Sequence, residues 1–190
     1  MKTIWTIGHS TRTMEEFLHL LNAFKIQLLV DVRHYPGSRK FPHFNKENLA
    51  KVLPENNIDY LHLVDLGGRR KALPDSKNDA WRLASFRGYA DYMETQPFQQ
   101  ALEKLETLAA ERRTCIMCSE AVWWSCHRSM ISDILKVKNW KVLHVMTDSN
   151  ATEHPYTAPA TVVDGTLSYS KRSLRASVYP MASNFARILK

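Results

Sequence analysis

Residues able to do chemistry are concentrated in one short segment of the sequence. Residues 115–128 include Cys115, Cys118, Glu120, Cys126, His127 and Arg128. A carboxylate such as Glu120 can act as a nucleophile or general base when partial burial tunes its pKa. A thiol at the start of a helix, the place expected for Cys126, becomes nucleophilic because the helix N-terminus lowers its pKa. The segment is therefore predicted to hold the catalytic centre.

The same segment contains a candidate set of metal ligands, Cys118, Cys126 and His127. Seven residues separate the two cysteines, whereas structural zinc sites usually have two to four. We therefore predict no metal and no other cofactor, and these three residues are the expected ligands should a metal bind. Cys115 lies three residues before Cys118 on an apolar segment and is expected to point into the core.

A second candidate is the turn Gly8-His9-Ser10, which follows the first apolar segment. Such a turn can bring His9 and backbone N–H groups to an anion. It can equally be a tight strand-to-helix connection with a polar cap. Both interpretations place His9 and Ser10 just beyond the end of a strand.

A third candidate follows the second apolar segment, where Asp31 and Arg33 flank Val32. Residues two apart on a strand point to the same side, so the two charged groups are neighbours. They can form an internal ion pair. Alternatively, Asp31 orients a sugar hydroxyl or another side chain and Arg33 binds phosphate.

A loop rich in cations and aromatic rings follows at residues 33–46. It has four basic residues and no acid, with Tyr35, Phe41 and Phe44 interleaved. Exposed rings beside cations suit single-stranded or flipped-out nucleotides, although rings in loops often pack the loop down instead. The candidate substrate-binding or phosphate-binding residues are Gly8, Ser10, Arg33, Tyr35, Ser38, Gly67, Gly68, Arg69, Trp124 and Arg128.

The elements that must position these residues can be read from the apolar pattern. Short β-branched runs predict parallel strands at residues 3–7, 27–32, 114–118 and 141–146, with a weaker one at 59–63. Amphipathic helices lie between them, one opening with a capping box from Thr13 to Glu16. Strands alternating with helices predict an α/β fold, a mostly parallel open sheet covered by helices on both faces. An Asp164-Gly165 turn predicts a small C-terminal hairpin.

Length and charge restrict the class of protein. The chain has 190 residues and a net charge of +7, which fits a single domain at 1–170 followed by a basic tail at 171–190, whose order the sequence does not determine. The tail holds five basic residues and no acid, so the remainder has 21 basic and 19 acidic residues, a net +2. No apolar run reaches the ~20 residues of a membrane span. Three cysteines and no signal peptide indicate the cytoplasm. The oligomeric state is not predicted.

Together the motifs resemble a known family. Its characteristic segments are found here as Gly8-His9-Ser10, Asp31-Val32-Arg33, Leu66-Gly67-Gly68, Cys118-Ser119-Glu120 and Cys126-His127-Arg128. In order and spacing they resemble domain of unknown function 488, over roughly residues 3–147. The resemblance implies the fold and the position of the site at one edge of the sheet, and it implies no reaction.

The leading functional hypothesis is a hydrolase that cleaves an N-glycosidic bond in a nucleotide or nucleic acid, DNA rather than RNA, as in repair or modified-base processing. Glu120 would activate water or stabilise an oxocarbenium-like centre. His9 or His127 would protonate the leaving base, and Arg33 and Arg128 would hold phosphate.

Two alternatives remain open. One is sulfur-transfer or redox chemistry at Cys126 or Cys118 on a rhodanese-like scaffold. Against it, the Cys115/Cys118 pair is predicted within a strand, whereas redox pairs prefer a helix start. The other is a non-catalytic module whose cations only position phosphates.

Overall fold

A six-stranded sheet forms the centre of the computed structural model, which describes residues 2–173. Its strands in chain order are β1 (Thr3–Gly8), β2 (Leu28–Asp31), β3 (Asp59–His62), β4 (Thr114–Cys118), β5 (Lys141–Val145) and β6 (Ala151–Glu153). The spatial order is β3-β2-β4-β1-β5-β6, and only β6 is antiparallel to its neighbour. The ends of β2, β4 and β1 are therefore adjacent, and a ligand site is expected at that edge.

Between residues 2 and 173, five α-helices with established bounds cover the sheet. They are α1 (Met14–Ala23), α2 (Lys46–Glu55), α3 (Ala84–Met93), α4 (Gln96–Glu111) and α5 (Arg128–Val137). The capping box at the start of α1 is present, since Glu16 N–H donates to Thr13 Oγ1 at 3.1 Å and Thr13 N–H donates to Glu16 Oε2 at 2.8 Å. The α/β class and the mostly parallel sheet predicted from the sequence are confirmed.

Alternation along the strands divides the core into two layers. Helices α1 and α2 pack on one face of the sheet, and α3, α4 and α5 pack on the other. Within β4, Cys115 belongs to the first layer and Cys118 to the second, because residues three apart on a strand point to opposite faces. Cys115 is fully buried, as expected, and Cys118 faces the layer that contains α5.

Asn45 and Pro54 in the sequence predict a short helix that Asn45 caps and that ends before Pro54, and the structure corrects both expectations. Helix α2 continues past Pro54 to Glu55, because a proline near the end of a helix disrupts few hydrogen bonds. Asn45 begins that helix without a side-chain cap, since its Oδ1 accepts from Ser38 N–H at 2.6 Å. Helix α3 and strand β6 are present although the sequence interpretation did not predict them.

The predicted hairpin is confirmed near the end of the described chain. Strands β7 (Thr161–Val163) and β8 (Thr166–Ser168) pair antiparallel around Asp164 and Gly165, whose φ angles of 49° and 76° fit a two-residue hairpin turn. The basic tail lies outside the described residues from position 174 onward. None of the helices in residues 2–173 has the length and apolar character that crossing a bilayer requires.

Candidate functional site

The turns after β1 and β4 are joined directly to each other. His9 N–H donates to the Cys118 carbonyl at 3.0 Å, and Ser10 N–H donates to the Ser119 carbonyl at 2.9 Å. The contact requires glycine at position 8, because a Cβ there would lie 1.7 Å from the Glu120 carbonyl oxygen. These bonds bring the first and second candidate segments to the same edge of the sheet.

A pocket of about 640 Å³ opens at this edge. It is large enough for a nucleotide-sized molecule, within the usual range of ligand sites. The sequence-predicted residues that line it are His9, Ser10, Arg33, Tyr35, Ser38, Arg69, Cys118, Glu120, Cys126 and His127. The structure thus brings together residues from four separate parts of the chain.

The side of the pocket nearest α2 is a closed ion-pair network. Arg33 Nε and Nη2 donate to the two carboxylate oxygens of Asp31 at 2.9 and 2.6 Å, and Nη2 also donates to the Phe44 carbonyl. Tyr60 OH donates to Asp31 at 2.8 Å. Asp31 lies behind the pocket and is fully buried, so its role here is to hold the Arg33 side chain in place.

His9 is held by hydrogen bonds at both ring nitrogens. Its Nδ1–H donates to the Ser10 carbonyl at 2.9 Å, and its Nε2 accepts from Arg33 Nη1 at 3.4 Å. Burial, together with the charge of Arg33, lowers the pKa of His9 to about 4. His9 is therefore neutral at pH 7, with Nε2 as an acceptor, and it is not set up to donate a proton.

The side nearest α5 is a cluster of sulfur and imidazole. The Sγ atoms of Cys118 and Cys126 and a ring nitrogen of His127 all lie within 4.8 Å of one another. The Cys126 Sγ and His127 Nδ1 are 3.6 Å apart. His127 Nε2–H donates to the Val32 carbonyl at 2.9 Å, which leaves Nδ1 as the lone-pair nitrogen that faces the sulfur. We call these three residues the thiol cluster.

Arg128 supplies a buried positive charge beside this cluster. Its side chain is 2% exposed, and it donates from Nη2 to the Ala121 carbonyl at 2.9 Å. Within the described residues, its Nε and Nη1 have no hydrogen-bond partner. Its backbone N–H contacts Cys126 Sγ at 3.5 Å. A buried cation that lacks a carboxylate partner favours an anion nearby, and the Cys126 thiolate can be that anion.

The two thiols of the cluster differ in acidity. Burial by itself would raise the pKa of Cys126, but the hydrogen bond from Cys118 and the charge of Arg128 outweigh it, so the pKa is lowered. The hydrogen bond to Cys126, followed by burial, raises the pKa of Cys118 well above its ordinary value. The pair therefore carries its first negative charge on Cys126, with Cys118 as the hydrogen-bond donor.

Tyr35, Arg69 and Glu120 lie together on the outer side of the pocket, which we call the cationic wall. Glu120 is exposed, whereas the sequence interpretation assumed partial burial. Tyr35 is 65% exposed, and the Arg69 guanidinium lies 5.6 Å from the centre of its ring. This wall offers a charge and a flat surface to a ligand.

Several predicted residues lie outside the pocket lining. Arg128 and Asp31 lie behind it, and Trp124 is exposed elsewhere on the surface. The three glycines allow close approach of backbone or ring: a Cβ on Gly8 or Gly67 would meet backbone, and one on Gly68 would lie 3.0 Å from His127 Nδ1. These residues shape the site and do not line its surface.

Helix α3 supplies a wall that sequence reasoning missed. Ser85, Phe86 and Tyr89 line the pocket, and the buried Tyr89 ring packs on His127 with centroids 5.0 Å apart. The signal was available, because Phe86, Tyr89, Ala90 and Met93 have the i, i+3, i+4, i+7 spacing of an amphipathic helix. The sequence interpretation assigns no element to residues 83–94, between the polar loop at 64–82 and the helix that follows Thr95.

The family comparison agrees with the motifs. The family model described as Domain of unknown function DUF488 matches residues 13–135, more than half of the chain. The protein belongs to this family. The matched DUF488 region contains Asp31, Arg33 and the thiol cluster, whereas the Gly8–Ser10 turn precedes it. Neither the comparison with curated proteins nor that with solved structures finds a match.

Proposed function

We propose that this DUF488 protein is a thiol–disulfide redox enzyme in which Cys126 is the attacking thiol and Cys118 the resolving one. The observation that carries the proposal is the meeting of two sulfurs, from the end of β4 and the start of α5, on the floor of an open pocket. The two thiols are 3% and 4% exposed, and both line the pocket.

The partner cysteine is therefore different from the one that the sequence spacing suggested. Cys115 and Cys118 form a Cys-x-x-Cys pair in sequence, but the strand places them on opposite faces of the sheet. Cys118 instead meets Cys126, which immediately precedes His127 and α5, where a reactive thiol is favoured. The sequence argument against thiol chemistry concerned Cys115 and Cys118, whereas the proposed pair is Cys118 and Cys126.

The reaction balances within these two residues and a disulfide substrate. The Cys126 thiolate attacks one substrate sulfur, forms a mixed disulfide, and releases the other half as a thiol after protonation. Cys118 loses its proton, attacks Cys126 Sγ, and releases the second half. Two electrons pass from the two cysteines to the substrate, which leaves as two thiols, and a Cys118–Cys126 disulfide remains.

The test is oxidation of the purified full-length protein by defined mixtures of oxidised and reduced glutathione. Peptide mapping without reduction should show a Cys118–Cys126 cross-link and the loss of two hydrogen atoms. C118S should stop at a glutathione adduct on Cys126, and C126S should form neither product. C115S is the matched control and should behave as wild type. Catalytic dithiols have reduction potentials of roughly −270 to −120 mV. If no cross-link forms when the glutathione mixtures span this range, the proposal is contradicted.

A second candidate function, the N-glycosidic hydrolase, is favoured by one observation: the exposed Glu120 carboxylate shares the pocket with Arg33 and Arg69. It ranks second because the two histidines expected to donate a proton already form hydrogen bonds within the protein. His9 accepts from Arg33, and His127 donates its Nε2–H to the Val32 carbonyl. Nucleotide or nucleic-acid binding by the cationic wall is part of this second proposal.

The hydrolase is tested with a panel of nucleosides, nucleotides and single-stranded DNA, with the free base measured by chromatography. If Glu120 is the base, Glu120→Gln should lower the rate by about 10²–10⁴. Glu103→Gln, an exposed glutamate on α4, is the matched control. Base release that is equal in wild type and Glu120→Gln, or absent from both, would contradict this second function.

A further inference from the structure

We infer that Cys118, Cys126 and His127 form a three-ligand site for a thiophilic divalent cation, for which Zn²⁺ is the natural probe. The site draws on the same cluster as the proposed redox function but does not depend on it. Its basis is the arrangement of three ligand atoms, of which every pair is within 4.8 Å.

One separation in the cluster matches that between two ligands of a single ion. Zinc bonds are about 2.3 Å to sulfur and about 2.0–2.1 Å to nitrogen, so a tetrahedral ion places a sulfur and a nitrogen ligand about 3.5 Å apart. The Cys126 Sγ to His127 Nδ1 distance is 3.6 Å. Both atoms can therefore bind one ion with little rearrangement.

The imidazole is already oriented for a cation. His127 Nε2–H donates to the Val32 carbonyl at 2.9 Å, so Nδ1 presents its lone pair to the cluster. A second hydrogen bond of this kind is the usual support for a metal-binding histidine. The glycine at position 68 leaves room at the ring, since a Cβ there would be 3.0 Å from Nδ1.

A fourth coordination position would face the pocket, because all three ligand residues line it. The cluster forms part of the pocket floor, with Ser119, Glu120 and Ala121 on the neighbouring wall. Three protein ligands with a fourth position facing a pocket are typical of catalytic zinc, whereas structural zinc is closed by four. The open position is where water or a substrate atom would bind.

The seven-residue spacing between the cysteines is consistent with such a site. A short spacing brings two cysteines together when both lie in one turn. In this protein Cys118 lies at the end of β4 and Cys126 lies just before α5. The intervening residues include the short 3₁₀ helix Trp123–Ser125, which returns the chain to the sheet edge. The fold supplies the proximity that a short spacing supplies elsewhere.

The test is metal binding by the full-length, reduced protein after treatment with a chelator. Zn²⁺ should bind at one equivalent per chain in competition with a chromophoric chelator. Co²⁺ should give a sulfur-to-cobalt charge-transfer band and the visible bands of a tetrahedral ion. C126S, C118S and His127→Ala should each weaken Zn²⁺ binding by more than about tenfold, and C115S should leave it unchanged.

A second measurement keeps the test decisive if a variant misfolds. In wild type, Zn²⁺ should slow the alkylation of Cys118 and Cys126 by iodoacetamide but leave Cys115 unaffected, and a chelator should restore the rate. Absence of a cobalt–thiolate band, or affinity unchanged in C126S, would overturn the site. A glutathione-driven Cys118–Cys126 disulfide that forms with no Zn²⁺ binding supports the redox function alone, and tight Zn²⁺ binding without the disulfide supports the metal site alone.

Discussion

The thiol cluster and a second polar cluster both contain histidine, but they have opposite character. The thiol cluster faces a pocket, and His127 Nδ1 presents a lone pair to it. The second cluster, which we call the buried relay, links Thr6, His144, His154 and Asp133 through hydrogen bonds of 2.7, 2.9 and 2.9 Å. All four relay residues are buried. Residue type alone therefore does not identify a site; access and an unused donor or acceptor do.

The relay is internally complete. Asp133 accepts from His154 Nε2–H, His154 Nδ1 accepts from His144 Nε2–H, and His144 Nδ1 accepts from the Thr6 hydroxyl, so one arrangement of protons satisfies every atom. Asp133 also accepts from Thr157 and Tyr169. Since residues 154–169 follow the last strand of the sheet, the relay fastens the end of the described chain to α5.

The largest expected effect is a difference in stability between variants of the relay and variants of the thiol cluster. Asp133→Ala removes the acceptor of four buried donors and should lower the free energy of unfolding by about 3–5 kcal/mol. Cys126→Ser should cost about 1 kcal/mol or less while abolishing the disulfide. Urea unfolding measures both. Equal losses in the two variants would mean that the thiol cluster is as structural as the relay.

The next effect tests how tightly the backbone of the site is packed. Gly8→Ala should destabilise by about 1–3 kcal/mol, because its Cβ would meet the Glu120 backbone. Gly37→Ala is the matched control on the pocket wall, where a Cβ meets nothing within 4 Å, and its effect should stay within about 0.5 kcal/mol. Thermal unfolding of both variants measures these effects. If Gly8→Ala is as stable as wild type, the turn can shift to make room for the Cβ.

The pH dependence of stability is expected to come mainly from the relay. Burial, helped by the positive charge of Arg128, lowers the pKa of His144 to about 2. The unfolded chain takes up this proton near pH 6.5 and the folded protein does not, so stability is present above pH 6.5 and is lost as the pH falls toward 2. The loss should be about 1.4 kcal/mol per pH unit for this residue.

Chemical unfolding between pH 7 and pH 4 measures that slope. His144→Gln should flatten it even if the variant is less stable throughout. His9, whose pKa is about 4, adds loss of the same sign only between pH 6.5 and 4. A slope that is unchanged in His144→Gln would show that the histidine is protonated in the folded protein.

The smallest effect concerns the cationic wall. Arg69→Gln should leave stability within about 0.5 kcal/mol, since the residue is exposed. If the wall binds single-stranded DNA, the variant should reduce the slope of log K against log salt by about 0.7. Lys104→Gln on α4 is the control. Fluorescence anisotropy across a salt series gives the slopes, and identical slopes would remove Arg69 from the interface.

Much of the architecture follows from local pattern. The apolar runs predicted β1, β2, β4 and β5 to within one residue of their observed ends, because a parallel strand buried on both faces is largely apolar. The weaker candidate at 59–63 corresponds to the edge strand β3, whose side chains are exposed or only partly buried. Helix α3 was missed because a polar loop with Gly67 and Gly68 leads into it and its amphipathic spacing is short. Strand β6 has three residues, too few to show any period.

Sequence alone was sufficient for the family, the fold class and the edge of the sheet where the reactive residues lie. It was also sufficient to place Asp31 beside Arg33, because two-residue periodicity is a local property of a strand. The partner of Cys118 and the state of His9 were decided only by tertiary structure. Both depend on contacts between segments distant in the chain. Cys118 meets Cys126 because β4 and the start of α5 converge, and His9 is neutral because it is buried beside Arg33, which lies just beyond β2. Spacing along a chain cannot encode a distance that is set by how strands are ordered in a sheet.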